Sequence, residues 1–359
     1  MSGITDVPGI KVGHWTDRFG VTGCTVIVVE DGATPGYHSA GGAPGTLETD
    51  LLRPENWVPT VHAVMMTGGS VYGLSAASGI RSVLREKKIG LRLPSGLGPI
   101  PIVTGAVLFD LSIGNPDSYP SEEAGRKATE DASAEPVSQG SVGAGTGCTV
   151  AKLFGSNHAL KGGLGTASIT HKSGFIVAAV AAVNAIGNIY NADTGKMIAS
   201  PRGSRIGSSL VSPDSKKGIL NQDWEPEFEI YDPRNFPSGR PEYTTGPTNT
   251  TLVTVATNAV LDKSEATRLA IMANDGLSIS VRPAHTPLDG DAVFVLATGK
   301  CQNDIEMTAS WLTMLGTMAS QVVSEAIVNG VREATDLGGF PSSSTWYESS
   351  FDLSSGEEK

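Results

Sequence analysis

A long, almost uninterrupted apolar stretch near the middle of the chain sets the strongest limit on its fold. Residues 174–191 (GFIVAAVAAVNAIGNIYN) contain a run of small and β-branched residues, without the alternation typical of a strand with one face in water. We interpret the stretch as a buried strand, a turn and a second strand. A strand that is apolar on both faces must be covered on both, which favours a layered α/β architecture with helices over the sheet faces.

Other segments of the chain fit the same architecture. Further strands are predicted at 23–30 (GCTVIVVE), 250–261 (TTLVTVATNAVL) and 291–298 (DAVFVLAT). Helices are predicted at 70–88, at 121–134, at 307–334 with Gly316 and Gly330 as interruptions, and after Asp262, where Asp262-x-x-Glu265 matches a capping box. We treat the whole chain, 1–359, as a single catalytic domain.

Charge and cysteine content exclude several classes of partner. The net charge is -11, and the chain has no extended cluster of Lys and Arg, so neither nucleic acid nor an anionic membrane is an expected partner. The three cysteines are widely scattered, which favours a reducing compartment without a disulfide framework. No signal peptide and no membrane-spanning run is visible, so the expected location is cytoplasmic.

Common catalytic signatures are absent. The six histidines form neither HExxH nor HxH, and no CxxC occurs, so we predict no metal and no cofactor. The segment 68–73 (GGSVYG) comes near a nucleophile elbow, but a helix start is the preferred interpretation of Ser70. The glycine-rich segment 141–152 lacks the spacing of a phosphate-binding loop. It fits better as a turn that brings backbone amides and Lys152 to a substrate oxygen, although an isolated lysine is normally a solvated surface charge.

Two polar sites at strand ends have both a structural and a functional interpretation. Asp289-Gly290-Asp291 precedes a buried strand; the pair can be a β-turn with acceptor side chains, or it can hold a hydroxyl or an ammonium group. Asn184 ends an apolar strand and can either satisfy local backbone groups or donate its amide to an oxyanion. Neither pattern decides by itself.

The most unusual feature is the junction Asn249-Thr250. Residues 200–249 are rich in Ser, Pro, Gly, Asp and Arg, an unusually long irregular segment for a compact domain, and a strongly β-forming run begins at Thr250. A threonine at a chain N-terminus can use its own α-amine as the base that activates its hydroxyl, since the reference pKa of that amine is about 7.7–8.0. Cutting the Asn249–Thr250 bond would create this catalyst. The alternative is that Thr250 simply begins a strand.

Several separated motifs, in order along residues 5–335, resemble the DmpA-type family of L-aminopeptidases/D-esterases. They are VPGIKVGHWTD, TGGSVYGL, VGAGTGCTVAK, NTTLVTVATNA, ATRLAIMANDGL and RPAHTPLDGDAVFVLATG. Within that family, Thr250 and the paired aspartates look most like the branch of the 6-aminohexanoate (nylon) oligomer endohydrolase, because many aminopeptidase members look as if they have a serine nucleophile.

The resemblance implies a four-layer αββα sandwich of the kind also found in ornithine acetyltransferase. It implies autocatalytic cleavage into chains 1–249 and 250–359 that stay packed together, with four such pairs forming a homotetramer. The substrate would be a small peptide or amide. The site residues that it implies are Thr250 as nucleophile, Asn184 as oxyanion donor, Lys152 and Tyr119 lining the site, and Asp289 and Asp291 orienting the nucleophile or substrate.

Four functions are therefore open at this level. The favoured one is an aminopeptidase or amidase that forms an acyl-enzyme on Thr250. A second is an endo-acting hydrolase of linear polyamide oligomers, and a third is an acyltransferase like the ornithine acetyltransferase relatives. The fourth is an unprocessed, non-catalytic protein.

Overall fold

The computed structural model describes residues 2–94, 96–153, 155–202, 249–303 and 305–352. The predicted irregular segment 200–249 lies almost wholly outside the described residues.

The described chain alternates between strands and helices. The strands are β1 (Ile10–Asp17), β2 (Thr22–Ser39), β3 (Thr46–Leu47), β4 (Val61–Thr67), β5 (Val103–Val107), β6 (Thr149–Val150), β7 (Leu160–Lys161), β8 (Leu164–Thr170), β9 (Ile176–Asn184), β10 (Asn188–Tyr190), β11 (Met197–Ala199), β12 (Thr250–Thr257), β13 (Val281–Arg282) and β14 (Ala292–Ala297). The α-helices are α1 (Ala76–Glu86), α2 (Glu122–Glu130), α3 (Lys263–Ser280), α4 (Ala309–Arg332) and α5 (Ser343–Asp352).

The long strand β2 belongs to two sheets. Its first half pairs with β1 and β4, and β4 continues through β5 to β3. Its second half pairs with β14, which is followed by β12, β9 and β8. The register of β2 against β4 shifts between Val28 and Ala33, an irregularity that lets one strand bend from the first sheet into the second.

Side-chain alternation along the strands produces three cores. In β12, Leu252 and Ala256 face the first sheet and pack with residues such as Ile27 and Met66. Their neighbours Val253 and Val255 face the other way, onto α3 and α4. A third core lies between the first sheet and α1 with α2. The order of layers is helices, sheet, sheet, helices, so the expected four-layer αββα sandwich is confirmed.

Most predicted elements are confirmed, with shifted ends. The helix expected at 70–88 begins as a 3-10 helix, Ser70–Ser75, before it becomes α1. The helix expected at 121–134 already ends at Glu130. The prediction that Gly316 and Gly330 interrupt the last long helix was wrong, because α4 runs through both glycines.

A close contact between helix and sheet explains Gly330. A Cβ atom on Gly330 would lie 2.9 Å from the amide nitrogen of Gly165, and one on Gly165 would lie 2.1 Å from the carbonyl oxygen of Ala326. Glycine is therefore required here because the α4 backbone rests directly on β8. This close contact outweighs the low helix propensity of glycine.

Candidate active site

Thr250 is the first residue of β12 and lies buried at the centre of the second sheet. Its strand runs between β9 and β14, and Thr250 is paired directly with Asn184, the last residue of β9. The ends of three strands therefore meet at this point. Two residues that the sequence analysis singled out 66 positions apart are neighbours here because antiparallel pairing aligns the start of one strand with the end of the other.

The bond before Thr250 lies in a defined environment. The carbonyl oxygen of Asn249 accepts a hydrogen bond from the backbone N–H of Gly290 at 2.9 Å, and it also accepts one from the Thr250 hydroxyl. A Cβ atom on Gly290 would lie 2.7 Å from the Thr250 Oγ1 atom. The hydroxyl, the carbonyl and the N–H donor are thus packed together, and residue 290 has room only for hydrogen next to the hydroxyl.

The two aspartates of the Asp289-Gly290-Asp291 turn are both buried beside this bond. Asp289 accepts the backbone N–H of Thr286 at 2.7 Å, and Asp291 accepts the backbone N–H of Thr251 at 2.7 Å. Burial, and after it the nearby charge of Asp291, raise the pKa of Asp289 to about 6, while hydrogen bonds with Thr286 and the charge of Lys152 act in the opposite direction. Both carboxylates serve as acceptors, as the structural interpretation expected, but the hydrogen-bonded turn is Thr286–Asp289, directly before the segment that lies beside Thr250.

Lys152 lies beneath the end of β9. Its ammonium nitrogen is 2.9 Å from Oδ1 and 3.1 Å from the carbonyl oxygen of Asn184, and the side chain is buried. Burial lowers its pKa to about 7, while Cys148 and Asp289 act in the opposite direction. The possibility that Lys152 is a solvated surface charge is excluded. A lysine amine with such a pKa can exchange a proton near neutral pH.

The carboxamide of Asn184 is held in one orientation. Oδ1 accepts from Lys152 and from the backbone N–H of Thr149 at 3.0 Å, and Nδ2 donates to the carbonyl oxygen of Phe109 at 3.0 Å. This arrangement commits one of the two amide N–H bonds to Phe109. The oxyanion role of Asn184 stays a prediction.

Tyr119 lies on the surface beside the 68–73 loop. Its ring stacks on that of Tyr72 with centroids 5.3 Å apart, and 40% of the residue is exposed. A Cβ atom on Gly69 would lie 2.5 Å from the Cβ atom of Tyr119, so the ring borders the 68–73 loop. That loop opens a helix, as the sequence analysis preferred for Ser70, and Asp110 fixes it by accepting the N–H of Gly69 at 2.7 Å.

Three groups near Thr250 were missed from sequence. They are the backbone N–H of Gly290, the carbonyl of Phe109 and the side chain of His285, whose Nδ1 atom is 2.9 Å from Asp291 Oδ2. The two backbone groups could not be identified from residue types, because almost every residue has the same N–H and carbonyl groups. His285 lies six positions before Asp291 in the motif RPAHTPLDGDAVFVLATG, but the contact between the two depends on the shape of the segment that joins them.

Lys161 is a further buried residue that supports the site. The Lys161 ammonium donates to the carbonyl oxygens of Gly145, Cys148 and Gly162 at 2.7–3.0 Å. It thereby ties down the glycine-rich turn that leads to Lys152. Within the described residues, no three His, Cys, Asp or Glu side chains are grouped as metal ligands would be, and no helix is both long and apolar enough to cross a bilayer.

Comparison with solved structures shows which fold this is. The β-aminopeptidase of a Burkholderia species superposes with a TM-score of 0.65 at 21% identity, over 100% of this chain and 95% of the other. The L-aminopeptidase D-Ala-esterase/amidase of Ochrobactrum anthropi gives a TM-score of 0.65 at 20% identity, over 95% of this chain and 88% of the other. The latter is described as a variant of the N-terminal-nucleophile hydrolase fold, and this chain has the same fold.

Comparison of sequences agrees. An uncharacterized aminopeptidase of Mycobacterium tuberculosis is 36% identical over 95% of this chain and 96% of the relative. The 6-aminohexanoate-oligomer endohydrolase of a Kocuria species is 26% identical over 91% of this chain and 85% of the relative. The relatives and the family model indicate a hydrolase of peptide or amide bonds. The chain belongs to peptidase family S58, because the sequence model of that family matches residues 2–344.

Proposed function

We propose that this hydrolase cuts its own Asn249–Thr250 bond and then uses Thr250 as an N-terminal nucleophile, acting as an aminopeptidase or amidase. One observation carries the proposal: the Thr250 hydroxyl contacts the carbonyl group of Asn249 while the N–H of Gly290 donates to the same carbonyl oxygen. A nucleophile and an oxyanion donor are the two groups that acyl transfer at this bond requires.

In the maturation step, Thr250 Oγ1 attacks the carbonyl carbon of Asn249 and the Gly290 N–H stabilises the negative oxygen. The C–N bond breaks, the nitrogen of Thr250 takes up a proton and becomes a free amine, and an ester joins Asn249 to Oγ1. Water then hydrolyses the ester and leaves a carboxyl group on Asn249. The α-amine does not exist before this step, so another base must take the hydroxyl proton. The Lys152 amine, with a pKa lowered to about 7, is suited to this task.

In turnover, the α-amine of Thr250 takes the proton of its own hydroxyl as Oγ1 attacks the substrate amide. The Gly290 N–H and an N–H of Asn184 stabilise the oxyanion, each worth about 2.7–4 kcal/mol in comparable sites. The leaving amine departs with a proton, and water releases the acyl group. Asp289 and Asp291 keep the N-terminus in place, and a substrate ammonium group would be attracted to the same carboxylates.

The expected substrate is a small peptide or amide, with Tyr119 at the entrance. The similarity to the Kocuria endohydrolase keeps linear polyamide oligomers as a second candidate substrate. Incubation with p-nitroanilides, β-peptides and 6-aminohexanoate oligomers, followed by product analysis, distinguishes exo from endo action. Adding ornithine as an acyl acceptor tests the acyltransferase alternative, since a transferase would form acylated ornithine at the expense of hydrolysis.

The first prediction concerns the cleavage itself. Intact mass spectrometry of purified protein should show two fragments, 1–249 and 250–359, the smaller beginning with Thr250. Thr250→Val should remain one chain without amidase activity because it has no hydroxyl, whereas Thr250→Ser should still be cut.

The matched control is Thr254→Val, four residues along the same strand. Thr254 is also buried, and its hydroxyl makes only a 3.5 Å contact to the sulfur of Met66, so this variant should process and react like the wild type. Full activity in uncut protein would refute the proposal, as would cleavage of Thr250→Val.

A further inference from the structure

A histidine outside the proposed set of site residues makes two contacts with one catalytic carboxylate. Both the backbone N–H and the ring Nδ1 atom of His285 lie next to Asp291 Oδ2, at 3.0 and 2.9 Å. His285 has a φ of +58°, a left-handed conformation that is uncommon for residues other than glycine. That conformation allows the backbone and the ring to face the same oxygen.

The far side of the ring is anchored to α3. Its Nε2 atom lies 3.0 Å from Asn274 Nδ2 and 2.9 Å from Ser278 Oγ. On the other side of the ring, the carboxylate oxygen can only accept, so Nδ1 donates its proton to Asp291 Oδ2. Asn274 and Ser278 of helix α3 therefore hold the far side of the ring in place.

The second oxygen of Asp291 connects this arrangement to the nucleophile. Oδ1 accepts the backbone N–H of Thr251, the peptide unit that directly follows Thr250, at 2.7 Å. A continuous line of hydrogen bonds thus runs from α3 through His285 and Asp291 to the start of β12. Rotation of the Asp291 carboxylate would break the contacts at both of its oxygens at once.

We propose that His285 is a positioning residue for the reaction at Thr250: its two N–H groups hold the Asp291 carboxylate so that Oδ1 keeps the N–H of Thr251, and hence the hydroxyl of Thr250, in register. The inference rests on the function proposed above. In metal sites, residues that hold a ligating side chain in place have the same role. Their loss typically lowers metal affinity or activity about 10–100-fold.

Substitution of His285 by Asn and by Asp separates positioning from packing. Both residues tolerate a left-handed backbone and have the same size, but only Asn keeps an N–H donor for Asp291, whereas Asp brings a second negative charge against it. His285→Asn should retain self-cleavage and a kcat within about tenfold of the wild type. His285→Asp should lose about 10–100-fold or more in kcat and in the rate of cleavage, with KM little changed. Equal kinetics of the two variants would overturn the proposal.

A chemical rescue keeps the test decisive if His285→Asp does not fold. His285→Gly keeps the backbone N–H and the left-handed conformation and removes only the ring. It should lose kcat by about tenfold or more, and added imidazole should restore part of the loss. A His285→Gly enzyme as active as the wild type contradicts the inference, and so does one that imidazole leaves unchanged.

The control variant is His171→Asn, which carries the same substitution at a half-buried histidine whose Nδ1 atom contacts Ser173, 2.7 Å away, and not the aspartate turn. It should behave like the wild type. If the wild type itself neither cleaves nor hydrolyses amides, the proposed function fails; if the wild type does both and the three His285 variants match it, only the role of His285 fails.

Discussion

Asp289 is a buried carboxyl group that lies next to the bond between Asn249 and Thr250. It is almost fully buried, and its pKa rises from 3.8 to about 6 because burial and the charge of Asp291 both disfavour the ionised form. A carboxyl group whose pKa is higher in the folded than in the unfolded state adds stability at low pH, and that contribution is lost as the pH rises through the folded value. Ionised Asp289 therefore weakens the fold above about pH 6.

The corresponding prediction is that Asp289→Asn is more stable than the wild type at pH 8 and equally stable below about pH 4, the difference growing between about pH 4 and pH 6. The amide oxygen can still accept the N–H of Thr286. At pH 8 the variant should lose amidase activity because the negative charge beside Thr250 is gone. Urea unfolding at both pH values and an amidase assay check this; a variant that is less stable at pH 8 would contradict the assigned direction.

At the scale of elements, α3 both covers the second sheet and anchors the ring of His285. Its first turn forms the predicted capping box: Asp262 accepts the N–H of Glu265 at 2.8 Å, and the Glu265 carboxylate accepts the N–H of Asp262 at 2.9 Å. The caps satisfy backbone N–H groups that have no partner within the helix. The start of α3, and with it the spacing between α3 and the aspartate turn, is set locally.

Removing this cap should therefore be measurable. Asp262→Ala is expected to lower the free energy of unfolding by about 1 kcal/mol, while Asp262→Asn, which can still accept the hydrogen bond, should change it by far less. Urea unfolding in a Thr250→Val background, where the chain remains in one piece, provides the comparison. Identical losses in both variants would show that the cap hydrogen bond does not stabilise α3.

At the scale of the whole molecule, the proposed cleavage site lies inside the second sheet. After cleavage, β12 and β14 would belong to the small chain, whereas their outer neighbours β9 and β2 would belong to the large chain. Each of the two inner strands is hydrogen-bonded to a strand of the large chain, and α3 and α4 cover them. The large chain alone would expose the apolar core that this covering layer buries.

We therefore expect the two fragments to separate in denaturant but to migrate together in native size exclusion and native mass spectrometry. The smallest native species should have a mass of about 37.1 kDa, the mass of the uncut chain plus one water. The homotetramer suggested by the family resemblance stays a prediction that the same native spectrum tests. Elution of a free 250–359 fragment under native conditions would contradict the shared sheet.

Much of this architecture could be predicted because the relevant signals are local. The apolar run at 174–191, the β-forming run after Thr250 and the capping box at Asp262 each act over a few residues, and each appears as expected. The predictions that failed depended on contacts between elements. Gly330 looks like a helix interruption in sequence, yet it is where α4 rests on β8.

The chemical groups of the site divide in the same way. Local patterns, such as a hydroxyl at the start of a strand or paired carboxylates around a glycine, made Thr250, Asp289, Asp291, Asn184 and Lys152 candidates. The family resemblance added Tyr119 and suggested a role for each of them. Backbone donors and the carboxylate-binding ring of His285 were not identified, because a peptide N–H is the same in every residue and a histidine gains its role only from what lies beside it.

The amino-acid sequence by itself determined the elements, their buried faces and the residues able to carry acyl chemistry, since hydrophobic patterning, capping and side-chain reactivity are properties of short segments. Only the tertiary structure decided that the N–H of Gly290 meets the carbonyl of Asn249, that Lys152 is buried with a lowered pKa, and that Asp291 is held between Thr251 and His285. Those features depend on strand register, on burial and on distances of about 3 Å between segments far apart in the chain, and only the packed sandwich creates them.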